Sequence, residues 1–160
     1  MDPLQKEPVQ IAVRDPHPVT ANQTRISYAG LGAASDAYHG YVTYEVSGTK
    51  LCIHTISAQP HGDRLGALLL YEMCTAPGYV SIITVEALNV APEAVGFYEH
   101  MGFQKSQSQL ALIADMFPND PVKVAQLQDQ VAIYEATLSG LTVQSFNTMN
   151  KSWQGVSDPS

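Results

Sequence analysis

Positive charge is scarce in this sequence: eight Lys and Arg stand against fifteen Asp and Glu in 160 residues, a net charge of −7. A nucleic-acid surface needs clustered cations to meet phosphates, so no nucleic-acid partner is expected. The same balance suits a cationic substrate such as an amine, a polyamine or a lysine side chain. Cysteine is equally sparse. Cys52 and Cys74 belong to no CxxC or Cys/His spacing, so no metal site is expected and both read as reduced core thiols. No apolar run approaches the length that spans a bilayer, so no membrane role is expected. The first residues, MDPLQKEPVQ, lack the basic start and apolar stretch of a signal peptide. Together with the thiols, this makes the expected compartment cytoplasmic. Repeats and low-complexity linkers are absent as well.

What the sequence does have is core-forming material. Its 45% apolar and 14% charged residues describe a globular chain with a proper core. One domain is expected over 1–145, with 146–160 as a loose tail. Val9-Gln10-Ile11-Ala12-Val13 and TRISYAGL read as early strands, and GAASDAYHG as a loop. In GYVTYEVSGTKLCIHTIS two β-rich halves flank Ser47-Gly48-Thr49, which is turn chemistry, so the segment predicts a hairpin. Leu51 to Ser57 then feeds a Gly-flanked turn, His61 to Gly66, and a helix from Arg64 to about Thr75, stopped by Pro77-Gly78. YVSIITVEAL is strongly β. A helix over Glu93 to Met101 follows, with Pro92 in its first turn and Gly102 as its stop. FQKSQSQLALIADMF reads as one or two last strands, and residues 121–140 as a C-terminal helix. Strand–helix–strand alternation implies a parallel pair beside the antiparallel hairpin. The fold class is therefore α/β, a mixed sheet with helices on its faces.

Gly62 and Gly66 sit just before Ala67-Leu68-Leu69-Leu70. A tight strand-to-helix connection alone explains them, since glycine tolerates close backbone approach. A chemical reading is also open. Helix-start N–H groups lack intrahelical partners and carry partial positive charge, so such an entry can hold a phosphate.

Two segments, TISAQPHGDRLGALLL and NVAPEAVGFYEHMGF, then acquire a joint meaning. The first resembles the coenzyme A pyrophosphate loop of the GNAT superfamily of N-acetyltransferases, Arg/Gln-x-x-Gly-x-Gly/Ala. His61 stands at its first place, Arg64 at its first Gly and Gly66 at its second. The second segment resembles that family's later helix, Ala-x-x-Phe-Tyr-x-x-x-Gly-Phe, through Ala94, Phe97, Tyr98, Gly102 and Phe103. The resemblance covers about residues 41–104. It departs from the family at His61, Arg64 and Ala91, and residues 14–40 carry no convincing counterpart of the family's two early helices.

The resemblance implies a GNAT fold with an atypical N-terminal region and an extra C-terminal helix. It also implies acetyl-CoA as cosubstrate and acetyl transfer to a primary amine, either a small molecule or a protein lysine or N-terminus. The strand ending at Ile56-Ser57-Ala58 would splay from its parallel neighbour and offer backbone groups to the pantetheine arm. An N–H near Ile56 would face the thioester carbonyl. His61, Gly62, Arg64, Leu65, Gly66 and Ala67 would surround the pyrophosphate, with Ala58, Asn89 and Phe97 completing the cofactor site.

Tyr98 becomes the candidate acid for the leaving thiolate, because a phenol stays protonated at neutral pH. It reads equally as a helix residue packing its ring on the sheet. His54 and Glu86 are candidate bases for the attacking amine, with Glu45 as a rival, and each also reads as an ordinary strand residue. Lys50 stands where some relatives carry a glutamate. A second function stays open, that of a catalytically degenerate GNAT-fold protein acting as a CoA-binding or protein-interaction module. Val124, Leu127, Val131, Tyr134, Leu138 and Leu141 recur at spacings of three and four, one narrow stripe along the expected last helix. Such a stripe serves either docking on the sheet or pairing with a second copy, so a monomer or a homodimer is expected.

Overall fold

The computed structural model describes residues 11–30, 39–59, 65–76, 78–79 and 81–152. Among these residues seven strands form one sheet in the order β1-β2-β3-β4-β5-β7-β6. They are β1 (Ile11–Pro18), β2 (Thr24–Gly30), β3 (His39–Ser47), β4 (Lys50–Gln59), β5 (Thr84–Ala87), β6 (Gln104–Lys105) and β7 (Tyr134–Thr137). Pro16 and Pro18 lie on β1, an edge strand, where a missing N–H costs no ladder bond. The β3–β4 hairpin turns at Gly48-Thr49 with Gly48 at φ +60°, as the turn residues predict. Every pairing in the sheet is antiparallel except β4–β5, which is parallel from Lys50↔Thr84 to Ile53↔Ala87. The α/β mixed sheet is therefore as the sequence implies.

The β4–β5 crossover is α1 (Leu65–Thr75). Leu65, Leu68, Leu69, Leu70 and Met73 are fully buried against Ile26, Val42, Leu51, Ile53 and Val85, one continuous core on one sheet face. After β5 come a single 3-10 turn, Pro92–Ala94, and α2 (Val95–His100), with Pro92 opening and Gly102 at φ +94° closing the pair as expected. Tyr98, Met101 and Leu141 join the same core, so α1, α2 and the last helix share one face. Both cysteines are buried and unpaired. Among the described residues, no helix is long and apolar enough to cross a membrane.

The C-terminal third departs from the sequence reading. The one or two strands expected in FQKSQSQLALIADMF reduce to Gln104–Lys105, and α3 (Gln107–Met116) follows. Ser106 explains the switch, because its hydroxyl accepts from the Gln109 N–H at 3.4 Å and caps the helix. The single helix expected over 121–140 is three elements: α4 (Pro121–Asp129), β7, and α5 (Leu138–Ser152). The stripe from Val124 to Leu141 is consequently no helical seam. Residues 146–152, expected to be loose, belong to α5. That helix lies on α1, with the Tyr71 and Phe146 rings 5.4 Å apart and Leu141 wholly buried. The helices α3 and α4 pack on each other and on β6 at the sheet's edge. Of the early strand expected at Val9–Val13, residues 9 and 10 lie outside the described residues; β1 runs on to Pro18.

Candidate active site

The parallel pair at the centre of the sheet comes apart. The last bond between its strands is donated by the Leu88 N–H to the Ile53 carbonyl, at 3.1 Å. Asn89 then takes φ +52°, a left-handed conformation that asparagine tolerates better than most residues. The next amide, Val90 N–H, donates to the Ala132 carbonyl at 2.8 Å, so the chain has turned away from β4. Strand β4 meanwhile continues to Gln59, paired with β3 on its other side. From His54 to Gln59 no ladder partner faces its β5-side edge among the described residues.

A bulge decides which groups face that edge. Thr43 pairs with Thr55 and Tyr44 with Ile53, leaving His54 as the extra residue on β4. The bulge reverses the alternation of everything beyond it. Leu51 and Ile53 face the core before the bulge, and Ile56 and Ala58 pack on it afterwards. The backbone reverses too. The Ile53 carbonyl points to β5, yet the Ser57 carbonyl lies only 2.5 Å from where a Cβ on Gly40 of β3 would stand. Residues 53 and 57 would face the same way in an unbroken strand. With Ser57 turned to β3, the peptide groups of Ile56 and Ala58 face the gap. Tyr28 of β2 ties down the end of β4 from the other side: its hydroxyl donates to the Gln59 carbonyl and accepts from the Gln59 N–H, each at 3.0 Å.

The candidate acid–base groups fall in two places. On the sheet face opposite the core, His54 Nε2 and Glu45 Oε1 are 2.8 Å apart, and Lys50 Nζ and Glu86 Oε1 are 3.0 Å apart. The hydrogen bond and charge of Glu86 raise the Lys50 pKa. Cys52 shares this row through its pairing with Glu45 and Glu86. Burial first, and then those two carboxylates, push its thiol upward, so it is held as a neutral thiol rather than a nucleophile. Among the described residues no group of His, Cys, Asp and Glu is arranged to hold a metal ion.

Tyr98 lies on the core side. Its ring meets Phe97 and Phe103 edge-on, at 5.3 and 5.1 Å between centroids, and burial pushes its pKa up to about 12. The hydroxyl bonds to no other group, yet no fully buried polar side-chain atom among the described residues is left unpaired. The oxygen is therefore the part of Tyr98 that solvent reaches.

At the proposed phosphate turn, His61, Gly62 and Arg64 lie outside the described residues. Leu65, Gly66 and Ala67 form the start of α1 and are buried. Gly66 has a second reason for being glycine, because the Phe97 ring occupies the place of its side chain. The cofactor role expected of Phe97 thus gains a packing role beside it, and Asn89 gains the turn that parts the strands.

The bulge at His54 is not expected from simple alternation along β4. A signal for it exists. The apolar spacing of Leu51, Ile53, Ile56 and Ala58 breaks period two with one step of three.

No family model matches this chain, and no curated protein does. Among solved structures it is similar to the crystal structure of Tetrahymena GCN5, with 12% identity over 71% of this chain and 68% of that one and a TM-score of 0.45. No residue's role is carried across from that structure.

Proposed function

We propose that this chain is an N-acetyltransferase of the GNAT type, moving an acetyl group from acetyl-CoA to a primary amine on a small molecule or a protein. The carrying observation is the parting of β4 from β5 after Ile53↔Ala87, with the peptide groups of Ile56 and Ala58 turned into the gap. An unpaired strand edge beside a parallel neighbour fits an extended amide-bearing chain, which is what pantetheine is. The Gly-flanked turn and the Phe97-Tyr98 helix stand on either side of β5 in the sequence, where the resemblance expects them.

Ile56 and Ala58 would hold the arm by backbone pairing, and the turn entering α1 would take the diphosphate at its N–H groups. Acetyl-CoA supplies the acyl thioester, an acetyl group already activated for attack by an amine. The Ile56 N–H is the oxyanion donor, since charge develops on the carbonyl oxygen as the amine attacks. Tyr98 donates a proton to the leaving sulfur.

Thermal unfolding with added acetyl-CoA tests the reading. A ligand held by the native state alone raises stability by about 2.7 kcal/mol at a hundred times its Kd. Ala58→Pro deletes one gap-facing N–H and leaves the β3–β4 ladder intact, because that N–H bonds nothing in the ladder. It should weaken CoA binding at least tenfold at unchanged stability. No thermal shift with either CoA or acetyl-CoA defeats the proposal. A shift without thiol release from acetyl-CoA in the presence of amines supports the degenerate CoA-binding module instead.

A further inference from the structure

We infer that His54 is the base that takes the proton from the attacking amine, and that Glu45 is the residue that positions it. The inference rests on the transferase reading above. Three candidate bases lie on the face away from the core. Glu86 is occupied, held by Lys50 at 3.0 Å and little exposed, so an incoming amine would have to displace the lysine to reach that oxygen. Glu45 is occupied by His54 itself. His54 has a second ring nitrogen to which no described residue bonds.

The chemistry of the pair fixes which nitrogen that is. An ionised carboxylate only accepts, so the 2.8 Å contact with Glu45 Oε1 requires the proton on His54 Nε2. In the neutral ring Nδ1 then keeps its lone pair, and no described residue bonds to it. The contact also fixes the orientation of the ring, the service a carboxylate performs for a catalytic histidine elsewhere.

Position supplies the second line of support. His54 is the bulged residue, and it is the first residue of β4 beyond the last pair with β5. A bulge re-aims the side chain it carries. The imidazole thus belongs to the mouth of the gap, two residues before the Ile56 N–H that would meet the thioester oxygen. The charged groups on this face are Glu45 on β3, in contact with the ring, Lys50 on β4, Glu86 on β5 and Arg25 on β2, whose Nε donates to Thr43 Oγ1 at 3.2 Å, with the neutral Cys52 thiol among them.

The step balances. An ammonium acceptor loses one proton to Nδ1, and its nitrogen lone pair forms the C–N bond. The C–S bond breaks with its electron pair going to sulfur. The second amine proton is lost to water, and the thiolate takes its proton from Tyr98, which water then restores.

Two measurements on the full chain decide the matter. Nitrogen-15 NMR of the histidine side chains should show His54 as the Nε2–H tautomer, and Glu45→Gln should abolish that preference. Thiol release from acetyl-CoA, with spermidine and a lysine-containing peptide as acceptors, should fall about a hundredfold or more in kcat for His54→Gln, the ordinary scale for a general base. Glu45→Gln should lose about tenfold, with the KM for acetyl-CoA unchanged in both variants. A proton on Nδ1 overturns the assignment, as does a kcat that ignores both substitutions but falls with Glu86→Gln. Acetyl-CoA binding without thiol release from the parent protein overturns it too. Absence of CoA binding defeats the transferase reading first and the base with it, whereas the tautomer result speaks to His54 alone.

Discussion

A Cβ placed on Gly66 would lie 2.8 Å from two carbons of the Phe97 ring, a separation that real side chains do not tolerate. The start of α1 and the start of α2 are thus fitted to each other through one missing methyl group. Gly66→Ala should destabilise the fold by about 1–3 kcal/mol, the usual cost of overpacking. Phe97→Leu combined with Gly66→Ala should recover part of that loss. Urea unfolding of the two single variants and the double measures the coupling. Strict additivity would mean that the ring moves aside freely.

Tyr98 yields a prediction in two parts. As the acid, it acts mainly when charge appears on sulfur, so Tyr98→Phe should lower kcat about ten- to a thousandfold and leave acetyl-CoA affinity nearly unchanged. The second part concerns alkaline stability. Burial raises its pKa from 10.0 to about 12, so an unfolded chain releases this proton near pH 10 while the folded one still holds it. The contribution is complete below pH 10 and is lost as the pH climbs to about 12, up to roughly 3 kcal/mol. Tyr98→Phe should flatten the fall in stability over that window, and denaturant titrations at pH 9 to 12 read it.

The contrast between the two halves of the sheet explains what a sequence of this kind reveals. The hairpin, α1 and the parallel partner of β4 were legible because each carries its own local signals: Gly48 at the turn, a run of leucines and the β-branched Ile82-Ile83-Thr84-Val85. The last third misled for an equally physical reason. Tyr134 and Ala136 alternate across β7 as a strand requires, yet Tyr134 also falls on a three-and-four spacing with Val131 and Leu138. A short strand between two helices satisfies both periods, and only pairing with β5 decides between them. At the site, attention to Ile56 and Ala58 came from the family resemblance alone. The Glu45–His54 contact and the Gly66–Phe97 fit were not legible, because both depend on register and approach between segments distant in sequence.

The hairpin of α3 and α4 rests on its caps more than on burial, since neither helix has a fully buried residue. The Asp120 carboxylate accepts from the Lys123 N–H at 3.1 Å at the head of α4. Asp120→Ala should cost about 1 kcal/mol, the typical worth of such a cap. The effect should be local. Amide exchange across 121–129 should quicken while the strands of the sheet keep their protection.

The helix α5 makes the opposite case. It lies on α1, which itself covers β2, β3 and β4, so the last helix of the chain closes the core over the centre of the sheet. Leu141 is wholly buried there, and Ser145 and Thr148 on the same face turn their hydroxyls back to the carbonyls of Thr142 and Gln144. Those hydroxyls need no partner on α1, and the face can therefore pack as closely as an apolar one. Leu141→Ala should cost about 2–5 kcal/mol, the transfer of the lost carbons plus the cavity they leave. Ending the chain at Thr137 should go further, exposing Tyr71, Cys74 and the leucines of α1, and abolish cooperative unfolding. Circular dichroism against urea for both variants makes the check. A chain ending at Thr137 that still melts in one sharp transition would show that α1 and the sheet close the core without α5.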